Sequence, residues 1–263
     1  MFKCCPWPCG AAVSSVSVDP ETATKTAGSS PLSSLPSQTF PTPESVAEHA
    51  ARTVAGNVRE AVVARGVCVI ALTGGNTPVR TYELLSEQDV PWDSVHVVQT
   101  DDRVLPATET GSNWRMIRET LLDPASVPEE RRHPMPVAAP DPASAAREHA
   151  RLLRSLTPSG HADLVLLQLG PDGHLASLFA DRYEPGDTSG VTLTTTADGA
   201  LRMTQTLPAL CGAATRIVLA TGAGKTEAVA KLAAGTDDTF ATRSFLGSDG
   251  LLLLDARAAG AHA

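Results

Sequence analysis

The stretch Asp163-Leu-Val-Leu-Leu-Gln-Leu-Gly-Pro-Asp-Gly-His174, continued by Leu-Ala-Ser-Leu-Phe179, decides the reading of this chain. An apolar run rich in Leu and Val stops abruptly at Gly170-Pro-Asp-Gly173, the pattern of a buried strand that breaks into a tight turn. His174 follows, at what reads as the start of a short helix. It therefore falls at the carboxyl end of a strand, where open α/β sheets place their ligands. Helix N–H groups there disfavour a proton on the ring, keeping the imidazole neutral and able to act as a base. A histidine that merely caps the turn or faces solvent fits the same residues.

Outward from this stretch the same unit recurs. Val67–Leu72 reads as a strand running into Thr73-Gly-Gly-Asn-Thr-Pro78 and a helix from Val79. Val95–Gln99 is a second strand, ending at Thr100-Asp-Asp-Arg103, with a helix starting near Asn113. Asp141-Pro142 opens another helix reaching about Leu156. Arg216–Ala220 is a strand ending in Thr221-Gly-Ala-Gly-Lys225 and a helix to about Leu232, and Leu251–Leu254 is a short last strand. Strands alternating with helices predict an α/β fold, Rossmann-like, with a mostly parallel sheet and helices on both faces. Upstream, Thr42-Pro43-Glu44 has the form of an N-cap, a proline at the first helical position and an early acid. Val46, Ala50, Val54, Val58 and Val62 then draw one apolar stripe, and Gly66 ends the helix. Residues 1–41 read as a disordered Ser/Thr/Pro-rich leader and 42–263 as a single α/β domain. The polar stretch Asp181–Ala200 reads as a long surface excursion, a mobile loop near the site.

Composition narrows the class. With 263 residues, 42% of them hydrophobic, a sizeable core is available. Aromatic residues make up 4%, too few for base-stacking platforms, and the formal net charge is −8, which repels nucleic acid and anionic membranes. The expected partner is a small molecule, with no nucleic acid and no membrane, on a monomer or weak homodimer. One or two well-placed cations suffice for a small anion. Cys68 and Cys211 sit in apolar surroundings, as small core residues of a reducing, cytoplasmic compartment do. Cys4, Cys5 and Cys9 lack a nearby fourth ligand and read as part of the tail rather than as a metal site.

Three turns carry candidate chemistry. In Thr73–Pro78 the paired glycines Gly74 and Gly75 let successive N–H groups point at one anion; Asn76 and Thr77 add donors and the following helix adds its positive end. A plain strand-to-helix turn is the alternative. Thr221–Lys225 lacks the further glycine of a nucleotide-binding P-loop, because Leu219 stands at that position. An ATPase or GTPase is thereby excluded, and what remains is a turn with one cation, Lys225. In Asp101-Asp102-Arg103 either the arginine pairs locally with the acids, or Arg103 holds a phosphate or carboxylate while Asp101 faces the reacting end. Arg202 is a lesser candidate of the same kind. There is no Gly-x-Ser-x-Gly elbow, no zinc-protease motif and no dinucleotide fingerprint after the first strand. Ser177 reads as structural, and His49, His96, His133 and His149 as surface or core. Chemistry without cofactor or metal, driven by His174 and anion-binding turns, survives.

Taken in order, Leu72–Pro78, Thr100–Arg103 with Ser112-Asn113, Gly170–Phe179, Thr204–Leu210 and Thr221–Lys225 resemble the 6-phosphogluconolactonases, relatives of the glucosamine-6-phosphate deaminases. The resemblance runs from about residue 42 to the C-terminus, and Gly170-Pro-Asp-Gly-His174 with Ala-Ser-Leu-Phe179 is its most specific part. It implies hydrolysis of a sugar-phosphate lactone, 6-phosphoglucono-1,5-lactone, in the oxidative pentose phosphate pathway. His174 matches the general base, and Gly74–Thr77, Arg103 and Lys225 match positions around the phosphate or lactone. Backbone N–H groups at Gly173 and Leu175 are the expected oxyanion donors, and Asp101 orients water or a sugar hydroxyl. The chain departs from the family with Asn76 for Ser, Asp102 for Glu, Leu175 for Thr and Gln168 for Gly, and a proline pair is missing before Arg202. A deaminase or isomerase usually carries a tyrosine where Arg103 stands and Asn-Glu-Pro where Ser177-Leu-Phe179 stands. A sugar-phosphate sensor without chemistry is the third reading.

Overall fold

A computed structural model describes residues 35–105 and 111–261. The cysteines Cys4, Cys5 and Cys9 and most of the expected leader lie outside the described residues. In chain order the regular elements are β1 (Ser37–Phe40), α1 (Pro43–Arg65), β2 (Cys68–Leu72), α2 (Val79–Ser86), β3 (Val95–Gln99), β4 (Asp101–Arg103), α3 (Asn113–Ile117), β5 (Arg132–His133), α4 (Pro142–Ser155), β6 (Leu164–Gln168), β7 (Val191–Thr195), β8 (Leu201–Gln205), α5 (Leu207–Cys211), β9 (Thr215–Ala220), α6 (Thr226–Ala234), α7 (Phe240–Leu246) and β10 (Leu251–Asp255).

Seven strands form one parallel sheet in the order β1-β10-β9-β6-β2-β3-β5. Alternate residues of its strands feed two separate cores. Ile70, Leu72, Val97, Leu166 and Ile217 pack with α1 and α2 on one face. Val69, Ala71, Val165, Leu167 and Val218 pack with α5, α6 and α7 on the other. A sheet covered on both faces has no polar side, which is why its strands read as unbroken apolar runs. Helix α1 starts where Thr42 Oγ1 accepts from the Ser45 N–H at 3.1 Å and ends at Gly66, which takes φ 77° and closes the last turn on the Val62 carbonyl.

Three expectations need correction. Residues 37–40, assigned to the leader, form β1 and pair in parallel with β10. Four half-polar residues show no period, and the partner's backbone rather than their own side chains sets their conformation. Asp181–Ala200 holds strand β7, and β4, β8 and β7 make a second, antiparallel sheet. It packs against α4 over a small core of Met135, Val137, Ala146, Val191 and Met203. Finally, no helix follows His174; the chain makes turns and one antiparallel bridge between Leu175 and Leu178.

Candidate active site

Because β2, β6 and β9 run in parallel, the turns that follow them open at one edge of the sheet. The first holds Gly74, Gly75, Asn76 and Thr77. Among the described residues the backbone N–H groups of these four donate to no protein group. The Thr73 N–H is already used on the Leu166 carbonyl at 3.2 Å, and the buried Tyr82 hydroxyl donates to the Thr73 carbonyl at 2.8 Å, so the turn is pinned at its root. Gly75 has φ 91°, and a Cβ there would come within 1.8 Å of Gln168 Nε2. A Cβ on Gly74 would come within 1.9 Å of Asn113 Oδ1. Gly74 is therefore required by close approach and Gly75 by its positive φ, and four successive main-chain donors have no protein acceptor among the described residues.

The second turn carries His174. His174 Nδ1 is hydrogen-bonded to Asp172 Oδ1, and the ring lies against Phe179 with centroids 4.5 Å apart. The hydrogen bond from His174 holds the Asp172 carboxyl down at about 2, so the acid is ionised and accepts from Nδ1–H. That fixes the tautomer and leaves Nε2 with its lone pair available. The expected helix N-terminus is absent; a carboxylate two residues upstream holds the ring instead. Gly170 makes the room: a Cβ there would come within 2.3 Å of Nδ1. Gly173, at φ 103°, donates its N–H to the Gly170 carbonyl at 3.2 Å, so of the two expected oxyanion amides it is the one already engaged. Ala176 takes φ 50°, a strained conformation for a residue with a Cβ.

Three candidate cations stand on β4, on β8 and at the end of the turn after β9. Lys225 ends the turn after β9, half-buried, its ammonium pulled below its usual value by burial and raised by the charge of Asp172. That turn is anchored by the buried Asp255, which accepts from the Gly222 N–H at 2.8 Å and the Ala258 N–H at 2.9 Å. Arg103 and Arg202 are direct cross-strand partners on β4 and β8 and together line a cleft with Thr196 and Asp198. Arg103 does not pair with its neighbouring acids; it donates to the Gly111 carbonyl and, at 3.4 Å, to Asn113 Oδ1. Burial first, then the charge of Arg103, draws the Arg202 guanidinium below its usual value, and its buried Nε has no partner among the described residues. Like charges directly across a ladder repel, and Asp101, Asp102 and Asp198, the last in the same cleft, offset part of that repulsion.

Of the two acids, Asp102 is structural. It accepts from Gln99 Nε2, Ser112 Oγ and the N–H groups of Arg103, Asn113 and Trp114, all at 2.8–3.1 Å. Two of those amides begin α3, where a carboxylate is favoured. Asp101 is buried, accepts from Ser177 Oγ at 2.8 Å and Thr100 Oγ1 at 3.0 Å, and has its carboxyl raised chiefly by burial. Read from the sequence, Asp172 and Asn113 have no role of their own and Ser177 has a structural one. The Asp-x-His spacing was the available signal for the first; Asn113 meets both β4 and Gly74, and Ser177 meets Asp101 on β4, contacts that no local pattern records. Cys68 is inert, its thiol pushed up to about 12 by burial. Among the described residues no group of three or more His, Cys, Asp or Glu side chains converges as metal ligands do, and no helix is long and apolar enough to cross a membrane.

The fold is Rossmann-like α/β, and it carries an amide turn unpaired among the described residues, a cleft lined by Arg103 and Arg202, and a histidine held by a carboxylate. The family of glucosamine-6-phosphate isomerases and 6-phosphogluconolactonases matches residues 41–243. A 6-phosphogluconolactonase of Synechocystis is 39% identical over 198 residues, covering 73% of this chain and 82% of that protein. A Nostoc 6-phosphogluconolactonase is 35% identical over 210 residues, covering 77% and 87%. The structure of the 6-phosphogluconolactonase of Trypanosoma brucei superposes with a TM-score of 0.73 at 27% identity, covering 86% and 98%. The chain belongs to the glucosamine-6-phosphate isomerase/6-phosphogluconolactonase family.

Proposed function

We propose that the chain acts as the lactonase of this family, hydrolysing 6-phosphoglucono-1,5-lactone to 6-phosphogluconate. The observation that carries the reading is the set of four amides at Gly74–Thr77, unpaired among the described residues, one strand from a histidine with its Nε2 lone pair available, with Arg103 reaching Asn113 Oδ1 beside Gly74. The phosphate docks on the amides and the cations. The lactone carbonyl then lies toward His174. Nε2 takes a proton from water as the water oxygen bonds to the carbonyl carbon, and the ionised Asp172 stabilises the imidazolium that forms. The Leu175 N–H is the remaining expected donor to the tetrahedral oxyanion. As that intermediate collapses, the C–O bond to the ring oxygen breaks and the imidazolium proton passes to it. Asp101, held by Ser177 and Thr100, positions a sugar hydroxyl or the water. The enzyme acts on a small metabolite, in the cytoplasm, as a monomer or weak homodimer.

The lactonase is preferred over the deaminase because Arg103, where that branch usually has a tyrosine, stands opposite Arg202 rather than in a proton relay. The test is acid release from freshly made lactone at controlled pH, uncatalysed rate subtracted, with wild type and His174→Ala compared. Ammonia release from glucosamine-6-phosphate is followed in parallel. Excess acid release that disappears in the variant supports the reading. Ammonia without acid assigns the deaminase, and binding without either assigns a sensor.

A further inference from the structure

Gln168 closes strand β6 and stands between the two turns of the site. Its register partner is Leu219 on β9, and along β6 it follows Leu164 and Leu166 onto the face that carries α1 and α2. That is the face from which the Gly74–Thr77 turn leads into α2. The side-chain amide reaches the turn: from the position of a Cβ on Gly75, Nε2 lies at 1.8 Å and Oε1 at 2.9 Å. The nitrogen is thus the end presented to the turn. Gln168 is only partly buried, and among the described residues its side-chain amide makes no hydrogen bond. By contrast the other glutamines of the region, Gln99 and Gln205, are buried and engaged, Gln99 with Asp102 and the Met135 N–H and Gln205 with the Gln99 carbonyl.

A carboxamide held unpaired beside four unpaired main-chain amides adds a fifth donor to the set, and the side-chain acceptor nearby, Asn113 Oδ1, already receives Arg103 at 3.4 Å. An excess of donors selects an anion, and a tetrahedral one offers enough oxygens to engage them all. We infer that Gln168 is a further substrate-binding residue, donating through Nε2–H to the phosphate from the strand side of the Gly74–Thr77 turn. The inference deepens the function proposed above and rests on that turn being the phosphate site.

Two lactones separate the outcomes: 6-phosphogluconolactone and its unphosphorylated counterpart, gluconolactone. Wild type, Gln168→Ala and Gln168→Glu are compared on both, with inorganic phosphate as a competitive inhibitor. The alanine variant is expected to raise KM for the phosphorylated lactone and the phosphate inhibition constant together, each about tenfold, with kcat within about twofold. The glutamate variant, which sets a carboxylate against the phosphate, is expected to raise both further. Gluconolactone hydrolysis is expected to be unchanged in either. Equal losses on the two lactones, unchanged constants, or tighter phosphate binding in the alanine variant would overturn the inference. Where wild type turns over neither lactone, the lactonase reading falls. Phosphate binding followed by calorimetry still decides on Gln168: weaker in the alanine variant supports it, unchanged overturns it.

Discussion

The two sheets of this molecule divide the work of the site differently. The parallel sheet is apolar on both faces and contributes turns: main-chain N–H groups after β2, a histidine after β6 and a lysine after β9. The small antiparallel sheet contributes side chains from within its strands: Asp101 and Arg103 on β4, Arg202 on β8. Main-chain donors at strand ends cost the fold little, because the strands are held by burial of Leu, Ile and Val at about 1.5–3 kcal/mol for each side chain. The antiparallel sheet, by contrast, sets two guanidiniums opposite one another and buries two aspartates beneath them. Under the proposed function, that arrangement gives up some stability to present two guanidiniums to an anion.

That contrast is sharpest when broken at its two ends. His174→Ala removes the base supplied by the parallel sheet and is expected to lower kcat by about 10²–10⁴-fold, with Tm nearly unchanged. Asp172→Asn keeps the ring but loses the carboxylate that sets its tautomer, and is expected to fall short of that loss; steady-state acid release measures both. In the antiparallel sheet the largest effect is on stability. Asp102→Ala leaves five donors without their acceptor and is expected to cost about 3 kcal/mol or more in urea unfolding. An equally stable Asp102→Ala would show that α3 and Arg103 are held by something else.

Arg202→Met sharpens the comparison because its two effects have opposite signs. KM for the phosphorylated lactone is expected to rise about tenfold, as a charge-assisted contact is lost. Stability is expected to rise by about 0.2–1 kcal/mol as the cross-strand repulsion with Arg103 is relieved. A variant that loses both affinity and stability would mark Arg202 as a structural residue.

A separate effect, on stability alone, concerns acid. His149 on α4 is buried beside the antiparallel sheet, its Nε2 has no partner among the described residues, and burial, then the charge of His133, lower it to about 4. His133 is likewise lowered to about 4 by burial, then by His96 and Arg131. Arg131 donates to His96 Nε2 at 2.7 Å, so His96 must donate through Nδ1 to His133 Nε2, 2.8 Å away, and both rings are neutral in this arrangement. The unfolded chain takes up protons below about pH 6.5. The folded chain refuses them until about pH 4 at His133 and His149. Stability is therefore full above pH 6.5 and falls as pH drops through the window between, with a slope up to about 1.4 kcal/mol per pH unit for each group. His149→Leu is expected to flatten that fall in urea melts taken at pH 7, 6 and 5.

The same division explains what was legible in the sequence. Leu164–Gln168 and Cys68–Leu72 are buried on both faces and read at once as strands, and their glycine turns followed. The strand residues Asp101-Asp102-Arg103 and Leu201–Gln205 carry charges and hydroxyls, and β7 is Val-Thr-Leu-Thr-Thr; none has an apolar run to announce it. β4 takes its conformation from pairing with β8 about a hundred residues away, which no local pattern records, whereas β7 pairs with β8 in a local hairpin whose strands are too polar to announce it. His174 was found because its turn is local. The Asp172 contact is also local, and was available in the Asp-Gly-His spacing. Asn113 over Gly74 and Ser177 on Asp101 are long-range contacts and were visible only once the chain was folded.

The central claim is that one ligand spans from the unpaired amides of Gly74–Thr77 to Nε2 of His174. A crystal structure with the product, 6-phosphogluconate, tests both ends at once. The account predicts phosphate oxygens about 3 Å from those amide nitrogens and the product carboxylate beside the imidazole. A phosphate bound away from that turn, or a carboxylate out of reach of His174, would contradict it.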